Sequence, residues 1–348
     1  MRRTSSLVGG LLAVILLVGC GGGGGSSESQ YTGVTTPAVI DNTNAVEIVL
    51  GAYYGGEMVD TSFLPVVLGV ERSGSALPPP LHVVALVRTL KDATESIDGR
   101  PQVSRVMGEA RPLDVWDISF REPADATDNY VNFSLSWNDQ TGRLSGIISF
   151  HNYGDGEGGI LNGSVTLAGR ASIYNNPDPQ PGEPVLVPGE ILEITIGFSS
   201  FSSTDGINTV TISGSMTMVN DALTGNGSVA LNLYVGDAAT GKMSWIQYDV
   251  TVTEAADAIG AYTDVAISDG GICLHDYGCV NVETTTPFRT YDAYLSPSSG
   301  VLVVTGSEGR SAQLVVIDGI PESSGYFVEA DLDADGTYEW TSITYPWI

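Results

Sequence analysis

"YVNFSLSWN", residues 130–138, places an apolar side chain at every second position. In an extended chain this alternation gives one apolar face and one polar face, and the polar face here carries Asn and Ser. The same alternation recurs further along the chain, at Leu192–Phe198, Val210–Met218 and Val229–Val235. The sequence therefore predicts a mainly β protein whose strands bury one face.

The connections between these strands are short and rich in turn residues, as at Asn138–Gly142 and Thr240–Lys242. Short connections join antiparallel neighbours, and about a dozen such strands follow residue 128. We predict a long antiparallel meander sheet that either curls into a half-barrel or splits into a sandwich. The proline-rich stretch 175–190 is expected to leave the sheet, because proline has no amide for a central ladder.

Residues 33–127 carry helical signals instead. Asn44 precedes Glu47 by three positions, which is typical of a capping box, and Gly55-Gly56 is expected to end that helix. Apolar residues recur at helical spacing within 80–99. We predict two short N-terminal helices packed on the sheet.

The charge balance excludes one class of partner. The 348 residues include 14 Lys or Arg and 41 Asp or Glu, which gives a formal net charge of −27. Nucleic-acid binding needs a basic surface, so we expect no nucleic-acid partner. An acidic surface attracts divalent cations instead.

The sequence lacks the patterns that mark common hydrolases and zinc enzymes. Its three histidines, His82, His151 and His275, lie far apart in the chain and in different sequence environments. We therefore expect a protein that is not an enzyme.

The N-terminus, "MRRTSSLVGGLLAVILLVGC", joins two arginines to an apolar stretch, Leu7–Val18, that is short for a membrane span. Its last four residues, Leu-Val-Gly-Cys, resemble a bacterial lipobox. That resemblance implies a signal peptide at 1–19, cleavage before Cys20, and a diacylglyceryl anchor with palmitate-type acyl chains on Cys20. Removing residues 1–19, which hold two arginines and no acid, changes the net charge from −27 to −29.

Residues 20–32 begin with Cys20 and the run Gly21–Gly25, a composition typical of a flexible tether. No aspartate follows Cys20, and the resemblance to sorted lipoproteins implies the outer membrane, on either its periplasmic or its surface face. The predicted organisation is a signal peptide (1–19), a tether (20–32), a helix-containing segment (33–127) and a β body (128–348).

The two other cysteines, Cys273 and Cys279, lie in "ICLHDYGCV", residues 272–280. In an oxidising compartment such a pair favours a disulfide, which would stabilise the fold by roughly 2 kcal/mol because the closed loop is short. The alternative is a metal site that also uses His275, although a fourth ligand is not evident nearby.

"EADLDADGTYEW", residues 329–340, places three aspartates at alternate positions and a glycine after the third. This spacing resembles the start of an EF-hand-type calcium loop, in which glycine permits the sharp bend. The ligands that the resemblance implies are Asp331, Asp333, Asp335, Thr337 through its carbonyl, and Glu339.

Two features depart from that pattern. Ser342 occupies the twelfth position, where the loop family has a bidentate glutamate, and the flanking residues alternate as strands do. We predict weak Ca²⁺ binding, with a Kd of about 10⁻⁴ to 10⁻³ M. The alternative is a solvated acidic turn.

Two functional hypotheses follow. The first is a non-catalytic, acidic envelope lipoprotein, held in the membrane by its lipid anchor, with a structural or adhesive role and a weak calcium site. The alternative is a carrier of a lipid or another apolar ligand in a curled sheet, which would resemble the unclosed barrels of periplasmic lipoprotein carriers. The sequence does not specify a protein, glycan or lipid partner.

Overall fold

A single sheet and one α-helix account for the regular structure of the part of the chain that the structure describes. The computed structural model describes residues 31–57, 102–105, 115–122, 128–138, 140–154, 160–175, 186–204, 209–221, 226–292, 294 and 296–347. The elements are α1 (Ala45–Glu57), β1 (Gln102–Arg105), β2 (Val115–Glu122), β3 (Tyr130–Asn138), β4 (Arg143–Gly154), β5 (Ile160–Asn175), β6 (Leu186–Thr204), β7 (Thr209–Asp221), β8 (Asn226–Asp237), β9 (Met243–Ala256), β10 (Ala261–Leu274), β11 (Gly278–Tyr291), β12 (Ser299–Thr305), β13 (Ser311–Val316), β14 (Tyr326–Asp331) and β15 (Trp340–Thr341).

The fifteen strands form one sheet in their chain order, and each pairs antiparallel with the next. The prediction of a mainly β, antiparallel meander is therefore confirmed. Thirteen of the described strands follow residue 128, close to the expected dozen. The sheet begins earlier than expected, because β1 and β2 lie within the segment predicted to hold the helices.

One face of the sheet forms the core. Its buried side chains lie opposite one another on neighbouring strands, as Ile196 does with Met216 and Leu231 does with Tyr248. Phe133 and Trp137 on β3 belong to the same buried face, as the alternation at 130–138 predicts. The register thus places the apolar residues of one strand opposite the apolar residues of the next strand.

The sheet bends where the pairings of β4 with β5, β5 with β6 and β6 with β7 all shift register, and the extra residue of each bulge lies on β4 or on β6. Gly163 and Gly214 have φ values of 106° and 107°, and they lie opposite Phe150 and Phe198 on the neighbouring strands. Phe201 makes edge-to-face contacts with both phenylalanines, at centroid distances of 5.7 and 5.9 Å. Bulges bend and twist a strand, so this line of bulges curves the sheet around an aromatic cluster.

Helix α1 packs against the C-terminal part of the sheet, on β9, β10 and β12–β14. Tyr248 of β9 donates a hydrogen bond of 3.0 Å to the carbonyl of Ala52 and is fully buried beneath the helix. The second predicted helix, at 80–99, lies outside the described residues. Among the described residues, no helix combines the length and apolar character needed to cross a membrane.

Two details of the α1 prediction are wrong. The carboxylate of Asp41 accepts the amides of Thr43 and Asn44, whereas Glu47 contacts the hydroxyl of Tyr277, so the Asn44–Glu47 capping box does not form. The helix also continues through Gly55 to its last residue. A Cβ at Gly55 would lie 3.1 Å from Ile272, so close packing accounts for that glycine.

The prediction that 175–190 leaves the sheet is wrong at its C-terminal side. Strand β6 begins at Leu186, and Pro188 lies opposite Ile173 of β5. Among the described residues the register between β6 and β7 begins at Glu193, so there this part of β6 pairs with β5 alone. Proline is tolerated there because its missing amide is not needed for a second ladder.

The strands from β8 onward end at two opposite sides of the sheet. The proximal end carries the turns at 238–242, 275–277 and 307–309 and the loop at 332–339. The distal end carries the turns at 257–260 and 317–325.

Candidate metal centre

The acidic loop leaves the sheet at the proximal end, between β14 and the short strand β15. Asp331 is the last residue of β14, lies opposite Ser311, and is only 4% exposed. Asp333 and Asp335 are exposed. The loop therefore combines one carboxylate fixed by the sheet with two that face solvent.

The carboxylates hold the loop closed through its own backbone. Asp331 accepts the amide of Gly336 at 2.8 Å and that of Asp335 at 3.2 Å. Asp333 accepts the same Asp335 amide at 3.3 Å, and Asp335 accepts the amide of Thr337 at 2.8 Å. These bonds satisfy amides that the sheet does not pair.

The chain reverses through two left-handed residues, Ala334 with φ 63° and Gly336 with φ 88°. A Cβ at Gly336 would meet nothing within 4 Å, so the backbone conformation rather than crowding accounts for glycine at this position. At Ala334 the same conformation costs about 1 kcal/mol or more. The loop thus holds its three aspartates together at a conformational cost.

The three aspartates can share one cation. One carboxylate oxygen from each of Asp331, Asp333 and Asp335 lies within 4.8 Å of the others, and no other group of His, Cys, Asp or Glu with this property occurs among the described residues. Ca²⁺ binds oxygen ligands at about 2.3–2.6 Å, so two ligands on opposite sides of one ion are about 5 Å apart. The donor chemistry and the spacing both suit a hard divalent cation.

The remaining residues implied by the sequence resemblance are distributed differently. Glu339 folds back on the loop, where its carboxylate accepts the amide of Leu332 at 2.7 Å, and Thr337 lies at the exposed exit of the loop. The hydroxyl of Ser342 accepts the amide of Val328 and donates to the carbonyl of Ile343. Ser342 therefore stabilises β14, because its hydroxyl is hydrogen-bonded to the backbone on both sides.

A second turn lies directly beside the loop. A Cβ at Gly309, in the turn at 307–309, would lie 3.4 Å from the Cβ of Ala334. In that turn the exposed Glu308 lies 3.8 Å from the guanidinium of Arg310. This neighbour adds one more carboxylate to the proximal end, and no local sequence pattern indicated it.

Cys273 and Cys279 are joined as a disulfide, as predicted, and they are the second pair of opposite residues on β10 and β11, counted from the turn at 275–277. The two sulfur atoms are therefore bonded to each other and are not available as metal ligands. In the same turn, Nδ1 of His275 accepts the amide of Met243 at 3.4 Å. The metal alternative for this trio does not match the structure.

The two histidines that the structure describes do not converge. His151 stacks on Tyr130 at the start of β3, and His275 lies in the turn six strands further along the sheet. His82 lies outside the described residues. The two described imidazoles therefore belong to separate parts of the surface.

Comparison of the chain with protein-family models, curated proteins and solved structures gives no match.

Proposed function

We propose that this protein is a non-catalytic, acidic lipoprotein of the bacterial cell envelope, with a structural or adhesive role, and that its 331–339 loop binds calcium weakly. The observation that carries the calcium part is the convergence of three carboxylate oxygens within 4.8 Å in one short loop. Three ionised carboxylates repel one another at this spacing, and a bound divalent cation turns that repulsion into attraction.

In this proposal Asp331, Asp333 and Asp335 hold the ion through their carboxylates. Glu339, whose carboxylate accepts the Leu332 amide, supports the loop from its C-terminal side. With Ser342 engaged elsewhere, the site lacks the bidentate carboxylate of high-affinity loops, which supports a Kd of about 10⁻⁴ to 10⁻³ M.

The polar face of the sheet supports the structural or adhesive role. A row of uncharged polar side chains crosses its central strands in register, formed by Ser215, Asn232, Gln247 and Asn281 and interrupted at Gly271. On the neighbouring row the hydroxyls of Thr195 and Thr217 lie 2.9 Å apart. The first row offers donors and acceptors without charge, and the neighbouring row continues to the exposed carboxylate of Asp249. A band of uncharged polar groups suits contact with a neutral polar surface.

The bulges of β4 and β6 support a curled sheet over two separate sheets. They lie on either side of β5 and bend the sheet along one line, whereas a sandwich needs an interruption in strand pairing. We therefore include in the proposal that the body is a curled half-barrel with α1 packed on it.

Calcium binding is tested by thermal unfolding and limited proteolysis in about 10 Kd of calcium and in chelator. Binding at that concentration stabilises the fold by about 1.4 kcal/mol. For about 300 residues with an unfolding entropy near 0.6 kcal/mol/K, this raises Tm by about 2 °C. Asp333→Ala should abolish the difference, and Asp249→Ala, which removes an exposed aspartate from mid-sheet, should retain it. Identical melting and proteolysis in calcium and chelator would show that the loop is only an acidic turn.

The anchor is tested separately. Because acylation of Cys20 is both the membrane attachment and the signal for cleavage, Cys20→Ala should leave the protein unprocessed or released. Cell fractionation and the mass of the mature chain measure both effects. Normal processing and membrane partitioning of the variant would remove the lipoprotein assignment while leaving the calcium proposal intact.

A further inference from the structure

The described chain begins against the proximal end of the sheet. We call residues 31–40 the N-terminal segment. Val34 donates its amide to the carbonyl of His275 at 3.0 Å, and Ala38 donates to the carbonyl of Cys279 at 2.8 Å. Thr36 accepts the amide of Cys279 at 2.9 Å, which completes a parallel bridge between Pro37 and Cys279. The segment therefore adds backbone pairing to the disulfide-closed hairpin of β10 and β11.

Further contacts fix both ends of the N-terminal segment. The amide of Ser307 donates to the carbonyl of Ala38 at 2.7 Å, which ties the segment to the turn at 307–309. At its start, the ring of Tyr31 lies 6.3 Å from that of Trp245, which also stacks on Tyr234. The segment is therefore part of the folded body from Tyr31 onward, and its position on the proximal end is set.

Ten residues separate Cys20 from Tyr31. However they are arranged, the eleven Cα–Cα steps between these two residues cannot span more than about 40 Å. Strand β9, which runs from the proximal to the distal end, has 14 residues and is about 45 Å long. A lipid on Cys20 therefore limits the distance of the proximal end from the membrane and leaves the distal end free to lie much further away.

We infer that the proximal end of the sheet faces the lipid surface and that the distal end, with its turns at 257–260 and 317–325, points away from it. The body cannot enter the membrane, and with the distal end at the lipid Tyr31 would lie about 36 Å away, since it contacts Trp245, 11 residues before the end of β9. That distance nearly exhausts the reach of about 40 Å and requires an almost fully extended tether, so the loss of tether entropy disfavours this orientation. This inference rests on the proposed anchor at Cys20. It adds which surface of the body meets the membrane and which is left for another partner.

Two matched positions at opposite ends of β9 test the orientation. Ala239 and Ile259 are both exposed, and each follows by two residues an aspartate that accepts its amide at 2.8 Å, Asp237 and Asp257 respectively. Ala239→Cys and Ile259→Cys each add one free thiol, because Cys20 is acylated and the other two cysteines are bridged. The two labelled proteins therefore differ mainly in which end carries the dye.

The measurement is energy transfer from a dye on each thiol to headgroup-labelled lipid, with the full acylated chain reconstituted in phosphatidylcholine vesicles. Transfer from the Ala239→Cys site should exceed that from the Ile259→Cys site by at least about twofold, given the 45 Å between them. Duplicating residues 21–30 should reduce transfer from both sites. Equal transfer, or greater transfer at the Ile259→Cys site, in protein that floats with the vesicles overturns the orientation while the anchor stands. Protein that does not float with the vesicles overturns the anchor, and the orientation with it.

Discussion

Gly214 offers a direct test of how the sheet bends. It has φ 107°, and a Cβ built on it would lie 2.1 Å from the carbonyl oxygen of Asn232 on β8. Gly214→Ala therefore imposes two costs, an unfavourable backbone conformation and a contact that no pair of real atoms tolerates. Relief requires β7 to move off β8, which breaks ladder hydrogen bonds beside the buried Met216.

Two other glycines separate these costs. Gly241 has φ 70° with nothing within 4 Å of a built Cβ, so Gly241→Ala carries the conformational cost alone. At Gly146 a Cβ would lie 2.3 Å from the carbonyl of Ser134 while φ lies outside the left-handed region, so Gly146→Ala carries the crowding alone. We expect about 1 kcal/mol for Gly241→Ala and about 3–5 kcal/mol for Gly214→Ala, with Gly146→Ala between them.

Urea unfolding of the three variants measures these losses, and thermal unfolding checks them. With an unfolding entropy near 0.6 kcal/mol/K for about 300 residues, the expected falls in Tm are about 2 °C for Gly241→Ala and about 5–8 °C for Gly214→Ala. A Gly214→Ala loss no larger than that of Gly241→Ala would refute the reasoning, because it would mean that β7 and β8 do not approach as closely as described.

Three further predictions concern the C-terminal half of the sheet. Reduction of Cys273–Cys279, or Cys273→Ser with Cys279→Ser, should lower the unfolding free energy by about 2 kcal/mol in urea titrations, and no change would indicate free thiols in native protein. Tyr248→Phe should cost about 1 kcal/mol, since the Ala52 carbonyl loses its donor, and an unchanged urea midpoint would contradict that bond. The hydrogen bond from the Ile259 amide, followed by that from a tyrosine hydroxyl, lowers the pKa of Asp257 below its ordinary 3.8, so its ionised form favours the fold. The contribution of Asp257 to the free energy of unfolding is thus complete above about pH 4, and it is lost as the pH falls through the lowered pKa. Asp257→Asn should therefore make the urea midpoint less dependent on pH in the acid range. The same pH dependence in the variant and the original protein would contradict this prediction.

The local pattern of the sequence predicts much of this fold. Alternation at 130–138 identifies β3 and its buried face, because the two-residue period of a strand is written directly into the positions of apolar residues. The turn at Asn138–Gly142 is equally local, since Asn138 accepts the amides of Gln140 and Thr141. The disulfide is predictable for a related reason, because two cysteines six positions apart in a hairpin have few other cysteines to pair with.

Other features depend on contacts between distant residues. The pairing of Pro37 with Cys279 joins positions more than 240 residues apart, and no local signal marks either as a partner of the other. The bulges of β4 and β6, opposite Gly163 and Gly214, also depend on distant residues. Each of these two glycines begins a Gly-Ser-apolar repeat that is visible in the sequence, but the repeat indicates a bend only once Phe150 and Phe198 are known to lie opposite.

In the candidate metal site, too, some features can be predicted from the local sequence and others depend on distant residues. The spacing of Asp331, Asp333 and Asp335 identifies a group of carboxylates that can converge, because a loop with glycine at the sixth position brings alternate residues inward. The position of that loop on the sheet is not encoded locally. It follows from the direction of β14, which places the loop beside Gly309 and at the same end as the N-terminal segment.

The calcium and membrane proposals meet at the proximal end and constrain each other. A site with a Kd of about 10⁻⁴ to 10⁻³ M is only partly filled unless calcium is concentrated around it. An anionic lipid surface at about −30 mV raises the local concentration of a divalent ion about tenfold, equivalent to about 1.4 kcal/mol, but only within a Debye length of about 10 Å. If Cys20 is the anchor, the reach of about 40 Å allows the proximal end to enter that layer, while the net charge of −29 that cleavage before Cys20 would leave opposes its approach. Each bound calcium removes two negative charges from the approaching end and so lowers that opposition. Because linkage is reciprocal, calcium should draw the proximal end toward an anionic surface by the same factor by which that surface raises the calcium affinity.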